Sequence, residues 1–212
     1  MCIRLSSSIW KRHSNVNTET TLAQSNDMTP VAGTVDVAVP IDVLWECFAQ
    51  ADQWPRWNPC MFWVHNRDLV IGQDLIWVFE PIRSWFLYKL PAHARIVELE
   101  AQHKVTWEVT FIPGFYARHT YSLEDLGEGR TRFGTWEKAM GSTFRLLQGF
   151  WLAHFVFVKN RSLEGAQSLE AIYQKSGNLN AQTLPPKDYR PTLLQLIILA
   201  LVVILRRNGS TE

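Results

Sequence analysis

Six strand-like runs follow one another between residues 61 and 140 with no helical pattern among them, and one long helical pattern comes after. The runs cover residues 61–65, 74–79, 93–100, 105–111, 115–126 and 130–140, punctuated by Gly72, Pro81, Pro91, Pro113, Gly127 and Gly129. Strands linked by such short connections form an antiparallel meander, and a meander buries one face. The stretch 142–173 lacks proline, offers Ser142 as an N-cap, and places Phe144, Leu147, Trp151, Phe155, Val158, Ala166, Leu169 and Tyr173 on one side. It predicts a single amphipathic helix on the order of 45 Å long. A helix about 10 Å wide cannot fill a curved sheet of six or seven strands along its whole length. The expected architecture is α+β, with the sheet wrapped around the last helix and a cavity between them.

Upstream, Val35, Val37 and Val39 alternate with Thr34, Asp36 and Ala38, a half-buried strand over 33–39 that Pro40 stops. Ile41, Leu44, Trp45 and Phe48 then recur at three-and-four spacing over 40–51, a short helix with Pro40 at its first position. In Trp54-Pro55-Arg56-Trp57-Asn58-Pro59 each proline disfavours helix in the residue before it, so this is a short helix or a turn. Residues 1–29 are polar, without the apolar core of a secretory signal, and read as a disordered tail; Met28 is an alternative start. The expected organisation is a domain over 30–175, a linker over 176–190 and a hydrophobic helix over 191–207.

Twenty-one basic and twenty acidic residues nearly cancel, which leaves no field to gather nucleic acid. Cys2, Cys47 and Cys60 have no zinc-ligand spacing and fit a reducing compartment, with Cys47 and Cys60 as small buried hydrophobes. No metal or cofactor is expected. Gly127-Glu128-Gly129 lies in a hairpin and lacks the strand-to-helix setting of a dinucleotide site.

That hairpin supplies the sharpest geometry. With Glu128 at its centre, Leu123 faces Phe133, Tyr121 faces Thr135, and His119 faces Glu137, all on the inner side. An imidazole and a carboxylate then meet in an apolar interior, where each needs the other. They are read as a structural pair, an anchor for a ligand hydroxyl or carbonyl, or an acid/base couple. Trp107 shares its face with Val105, Val109 and Phe111, and Trp77 with Leu75 and Phe79, so these rings point inward as core or ligand wall. Phe144, Phe150, Trp151, Phe155 and Phe157 surround His154 with more apolar surface than one buried face needs. Gly149 and Gly165 weaken that helix by about 1 kcal/mol each relative to alanine, and closeness to a strand or ligand is the reason considered.

The span 33–173 resembles the polyketide cyclase/dehydrase and lipid-transport family of the START-like superfamily. The likeness rests on Pro40-Ile41-Asp42-Val43-Leu44-Trp45, Trp54-Pro55-Arg56-Trp57-Asn58-Pro59, Val105-Thr106-Trp107-Glu108, His119-Thr120-Tyr121, and Gly129-Arg130-Thr131-Arg132 with Glu137 and the long helix. The resemblance implies a helix-grip fold and an apolar ligand, and it makes Trp54, Trp57 and Asn58 candidates for the cavity mouth. The resulting ligand-binding set is Trp57, Asn58, Trp77, Phe79, Trp107, His119, Tyr121, Glu137, Phe150, Trp151 and His154. The expected function is binding or transport of a lipid, isoprenoid or polyketide-like molecule. The rival is a cyclase or dehydratase using His119 and Glu137.

The run 193–205 has one polar residue, Gln195, and is apolar all round, bracketed by Arg190 and Arg206-Arg207. A helix there is roughly 20 Å long against the ~30 Å of a bilayer's hydrocarbon. With the domain already complete before it, membrane attachment facing the cytoplasm is the expectation. Docking on the domain and a subunit contact are the alternatives.

Overall fold

A computed structural model describes residues 30–66, 68–80, 89–110, 114–180, 183–185 and 187–209. The expected tail and the alternative start at Met28 lie outside these residues. Seven strands form one curled antiparallel sheet: β1 (Val31–Val37), β2 (Met61–Val64), β3 (Asp74–Phe79), β4 (Leu90–Glu100), β5 (Lys104–Thr110), β6 (Tyr116–Gly127) and β7 (Arg130–Met140). Their order is β1-β7-β6-β5-β4-β3-β2, so every neighbour except the β1/β7 pair is consecutive in sequence. Strands β1 and β2 stand at opposite edges, and the chain crosses between them through α1 (Ile41–Ala49), a short 3-10 turn and α2 (Trp54–Trp57). Pro40 precedes α1 as its N-cap instead of occupying the first helical position.

The β6/β7 register is Leu123 opposite Phe133, Tyr121 opposite Thr135 and His119 opposite Glu137. Glu128 sits at the tip with φ 54°, between two glycines also at positive φ. A register shift between Ile96 and Glu98 interrupts the β4/β5 ladder, and such bulges bend a sheet.

The long helix comes in two parts. Gly141 precedes α3 (Ser142–Leu146) where Ser142 had been expected to cap, and the chain breaks at Leu147 before α4 (Gln148–Ser176). Leu147, placed on the apolar side by periodicity, is 45% exposed because the break rotates it outward. In exchange α3 folds over the sheet end and buries Phe144 against Phe115 and Phe155, with ring centroids 6.3 and 6.4 Å apart.

The outer side of the sheet is polar over β1, β7, β6 and β5. Arg132 bonds Asp36 at 2.7 Å and Lys104 bonds Glu98 at 2.7 Å, while Thr106 and Thr120 share a hydrogen bond of 2.9 Å. Over β3 and β4 it is not: Val78, Pro91 and His93 alternate with the inward side chains yet are buried. Their cover is α5 (Leu193–Gly209), which packs on β4.

The segment expected to be a linker carries α5 there as a strap. Leu179 and Leu184 enter the main core, Arg56 donates to the Leu184 carbonyl at 3.3 Å, and Lys187 Nζ donates to the carbonyls of Pro59 and Met61. The Phe62 ring lies beneath both Lys89 and Lys187, with Nζ 3.4 and 4.1 Å from its centroid. The hydrophobic helix therefore has a place on its own domain. No helix among the described residues is long and apolar enough to cross a membrane.

Candidate functional site

The interior between sheet and α4 has a solid half and a hollow half. In the solid half Phe48, Trp54, Trp57, Tyr121 and Phe133 interlock, with centroids of 4.6 Å for Phe48/Trp57 and 5.2 Å for Tyr121/Phe133. A polar knot lies inside it. Asn58 Nδ2 donates to the Tyr121 hydroxyl at 2.8 Å and to Ser162 Oγ at 3.3 Å, and Asn58 Oδ1 accepts from the Cys60 backbone N–H at 3.0 Å. Tyr121 and Ser162 hydroxyls close the ring at 3.0 Å. Burial pushes the Tyr121 phenol well above its usual range and the Cys60 and Cys47 thiols up to about 12, so none of the three ionises near neutrality. Trp54, Trp57 and Asn58, expected at a mouth, are 0%, 3% and 0% exposed: the two rings belong to the aromatic packing of this half and the asparagine to its knot. Their two prolines turn the corner inward and spend the asparagine on fastening α2 to α4.

The hollow half lies toward the end of the sheet where β3 and β5 finish and β4 and β6 begin. It is a cavity of about 60 Å³ walled by Trp77, Phe79, Ala92, Trp107, Val109, Phe115 and Ala117 from the sheet side, and by Trp151, Phe155 and Val158 from α4. Ala92 and Ala117 face inward at 4% exposure each, and their missing bulk is the local cause of the space. Cys60 and Met61 complete the wall beside α2. Segments 81–88 and 111–113, which join the strands at this end, lie outside the described residues.

Three ionisable groups interrupt the apolar wall: His119, Glu137 and His154. The His119 ring stacks on Trp107 at 4.6 Å and 10°, and its Nε2 shares a 3.0 Å hydrogen bond with Thr135 Oγ1. Its Nδ1 stands 3.3 Å from Glu137 Oε2, near enough for charge attraction but off hydrogen-bond alignment. Oε2 consequently keeps a free lone pair. Across the cavity His154 reaches in from α4 between Phe79 and Trp151, 5.3 and 6.0 Å between centroids, and its Nδ1 has no hydrogen-bond partner.

Burial holds the His154 imidazole below its ordinary value, with His119 adding to the depression and the Glu137 carboxylate opposing it. A depressed folded value means that the unfolded chain binds the extra proton first as pH falls through the ordinary imidazole value of about 6.5. The stability this ring contributes is complete above that value and is lost below it. The melting temperature should therefore drop more between about pH 7.5 and about pH 5.5 in the natural chain than in His154→Phe. Parallel curves would contradict a buried neutral imidazole.

Of the residues chosen from sequence, Trp77, Phe79, Trp107, His119, Glu137, Trp151 and His154 share the cavity wall, whereas Trp57, Asn58, Tyr121 and Phe150 do not. Phe150 instead packs edge-on to Trp151 at 5.1 Å in the smaller core around Phe144. Sequence reasoning missed Ala92, Ala117, Phe115, Cys60 and Met61. Small residues at inward strand positions were the available signal for the first two.

A curled seven-stranded sheet gripping a long helix around a cavity defines a helix-grip fold. The chain belongs to the polyketide cyclase/dehydrase and lipid transport family, whose model matches residues 28–171. Among solved structures it is similar to the Zhui aromatase/cyclase of Streptomyces sp. R1128, with 13% identity, 70% of this chain and 97% of that chain covered, and a TM-score of 0.59. A hypothetical protein of Helicobacter pylori aligns at 14% identity over 80% of this chain and 99% of its own, with a TM-score of 0.54. The di-domain aromatase/cyclase BexL aligns at 15% identity over 70% of this chain and 48% of its own, with a TM-score of 0.53. No curated protein matches the sequence.

Proposed function

We propose that this protein binds and carries a hydrophobic small molecule bearing one hydrogen-bonding group, such as a lipid, isoprenoid or polyketide-like compound, and presents it near a membrane. The observation that carries the reading is one apolar cavity whose wall includes both His154, with Nδ1 lacking a hydrogen-bond partner, and Glu137, with Oε2 likewise without a hydrogen bond. Buried polar atoms normally have partners, and a guest hydroxyl, carbonyl or carboxyl supplies one. The space of about 60 Å³ is far below the ~300–1,000 Å³ of small-molecule sites, so a lipid-sized guest requires the wall to open. Its aromatic lining makes that feasible by rotation of a few rings.

The protein purified under mild conditions, extracted and analysed by mass spectrometry, should yield a stoichiometric apolar compound, and His154→Leu should retain less of it. An empty natural protein that also fails to take up fatty acids or isoprenoid alcohols contradicts the reading.

The second reading is a cyclase or dehydratase, favoured by one observation, the 3.3 Å approach of His119 to Glu137 in the cavity wall. Against it, both His119 nitrogens face protein groups, Thr135 on one side and Glu137 on the other, which fits an orienting ring better than a proton carrier. Turnover of a polyketide-like carbonyl compound that His119→Ala abolishes while binding persists would establish the enzyme instead.

A further inference from the structure

We infer that the outward face of α5 is a contact surface for an anionic lipid bilayer, with the helix lying along the interface and not through it. The inference rests on the proposed membrane-proximal function and specifies which atoms meet the membrane. The helix cannot rotate to hide its exposed side, because its other side is fastened. Gln195 is 1% exposed; its Nε2 donates to the Lys89 carbonyl at 2.7 Å, and its Oε1 accepts from the Tyr189 hydroxyl at 2.9 Å and the Thr192 N–H at 2.8 Å. Leu199, one turn on, is 4% exposed against the domain. This stripe sets the orientation of everything else on the helix.

What remains outward is aliphatic. Leu193 is 75% exposed, Leu194 55%, Leu196 45%, Ile197 48%, Leu201 54% and Ile204 54%. Exposed large apolar side chains gathered on one helix mark an interaction surface, unlike the single ones any protein carries. The chemistry of the ridge selects the partner. A protein partner is typically met through aromatic anchors and one hydrogen bond per roughly 100–200 Å². This ridge has neither aromatic rings nor polar groups, and lipid tails require neither. No Asp or Glu occurs between Asp188 and Glu212, whereas Arg190 precedes the helix and Arg206 and Arg207 end the apolar run. That charge pattern complements anionic headgroups. The ridge from Leu193 to Ile204 is roughly 17 Å long, too short to span ~30 Å of hydrocarbon and suited to lying flat.

Flotation of the full chain with vesicles tests this. The protein should float with phosphatidylcholine vesicles containing phosphatidylglycerol, less with phosphatidylcholine alone, and less in high salt, which screens the arginines. Leu196→Gln/Ile197→Gln/Leu201→Gln should weaken vesicle binding by at least about tenfold, since three buried aliphatic chains are lost. All three side chains are outward, so its melting temperature should be unchanged; if the triple variant is unstable, Leu193→Gln/Leu194→Gln must show the same loss. Natural protein that stays unbound to both vesicles, or variants that float as well as it does, overturn the inference. So does a natural protein that sediments as a dimer, ignores vesicles and becomes monomeric in the variant, because the ridge is then a second copy's seat. The cavity reading is scored separately, by extracting the bound compound from the same variant: compound retained with flotation lost separates the two surfaces.

Discussion

Trp107→Ala should cost about 3–5 kcal/mol of stability, the range for emptying a fully buried aromatic site. Trp107 is 1% exposed and packs against the rings of Trp54 at 5.1 Å, Trp77 at 6.3 Å, Tyr121 at 5.0 Å and the stacked His119 at 4.6 Å. It stands at the boundary between the solid and hollow halves, so its removal joins new space to the existing cavity. In a chain of this size the melting temperature should fall by roughly 10 °C. A second outcome distinguishes cavity from general damage: benzene should raise the variant's melting temperature more than that of the natural protein, as an apolar void binds such guests. A loss under about 1 kcal/mol, or no benzene response, would mean that the neighbouring rings collapse into the gap.

Gly165→Ala should destabilise by at least about 2 kcal/mol, although helix propensity alone predicts a gain of up to about 1 kcal/mol. A Cβ at this position would meet the Trp57 carbonyl oxygen at 2.6 Å and Asn58 Cα at 3.3 Å, both backbone atoms of the α2 corner, which cannot swing aside. Helix α4 would have to lift from that corner, stretching the Asn58 to Ser162 contact of 3.3 Å. Gly149 lies in the same helix with nothing within 4 Å of the corresponding position, so Gly149→Ala should be neutral or stabilising. Urea denaturation of the two variants side by side checks the pair. Equal and favourable shifts in both would show that the two segments do not approach as closely as described.

Much of the fold could be read because period and punctuation coincide. The β6/β7 hairpin is the clearest case: a two-residue alternation on both strands and glycines around Glu128 leave one register that keeps Tyr121, Leu123 and Phe133 on the same side, and His119 then meets Glu137 as a consequence. The α2 corner has no period. Whether Trp57 and Asn58 turn to a rim or to the core depends on the direction of a proline-bounded turn, and that is decided by contacts with Tyr121 and Ser162 far along the chain. Cavity volume was illegible for a related reason: it is a small difference between the large volumes of many rings, set by their rotamers. The place of α5 had a signal that alternation obscured. Residues 75–79 are apolar at every position, the pattern of a strand covered on both faces, and β3 does carry cover on each side. The polar Gln195 in an otherwise greasy helix marks where it is tethered.

The pairing of β1 with β7 has a temporal consequence. Val31 meets Glu137 and Val37 meets Thr131, so the first of the described strands to leave the ribosome pairs with the last of them. Until then its edge and the concave surface lack both partner strand and covering helix, and such distant pairings close slowly because the intervening loop must first be ordered. The protein should accordingly be most prone to aggregate as a nascent chain halted between the end of β6 and the end of α4, when most of the greasy wall exists and its lid does not.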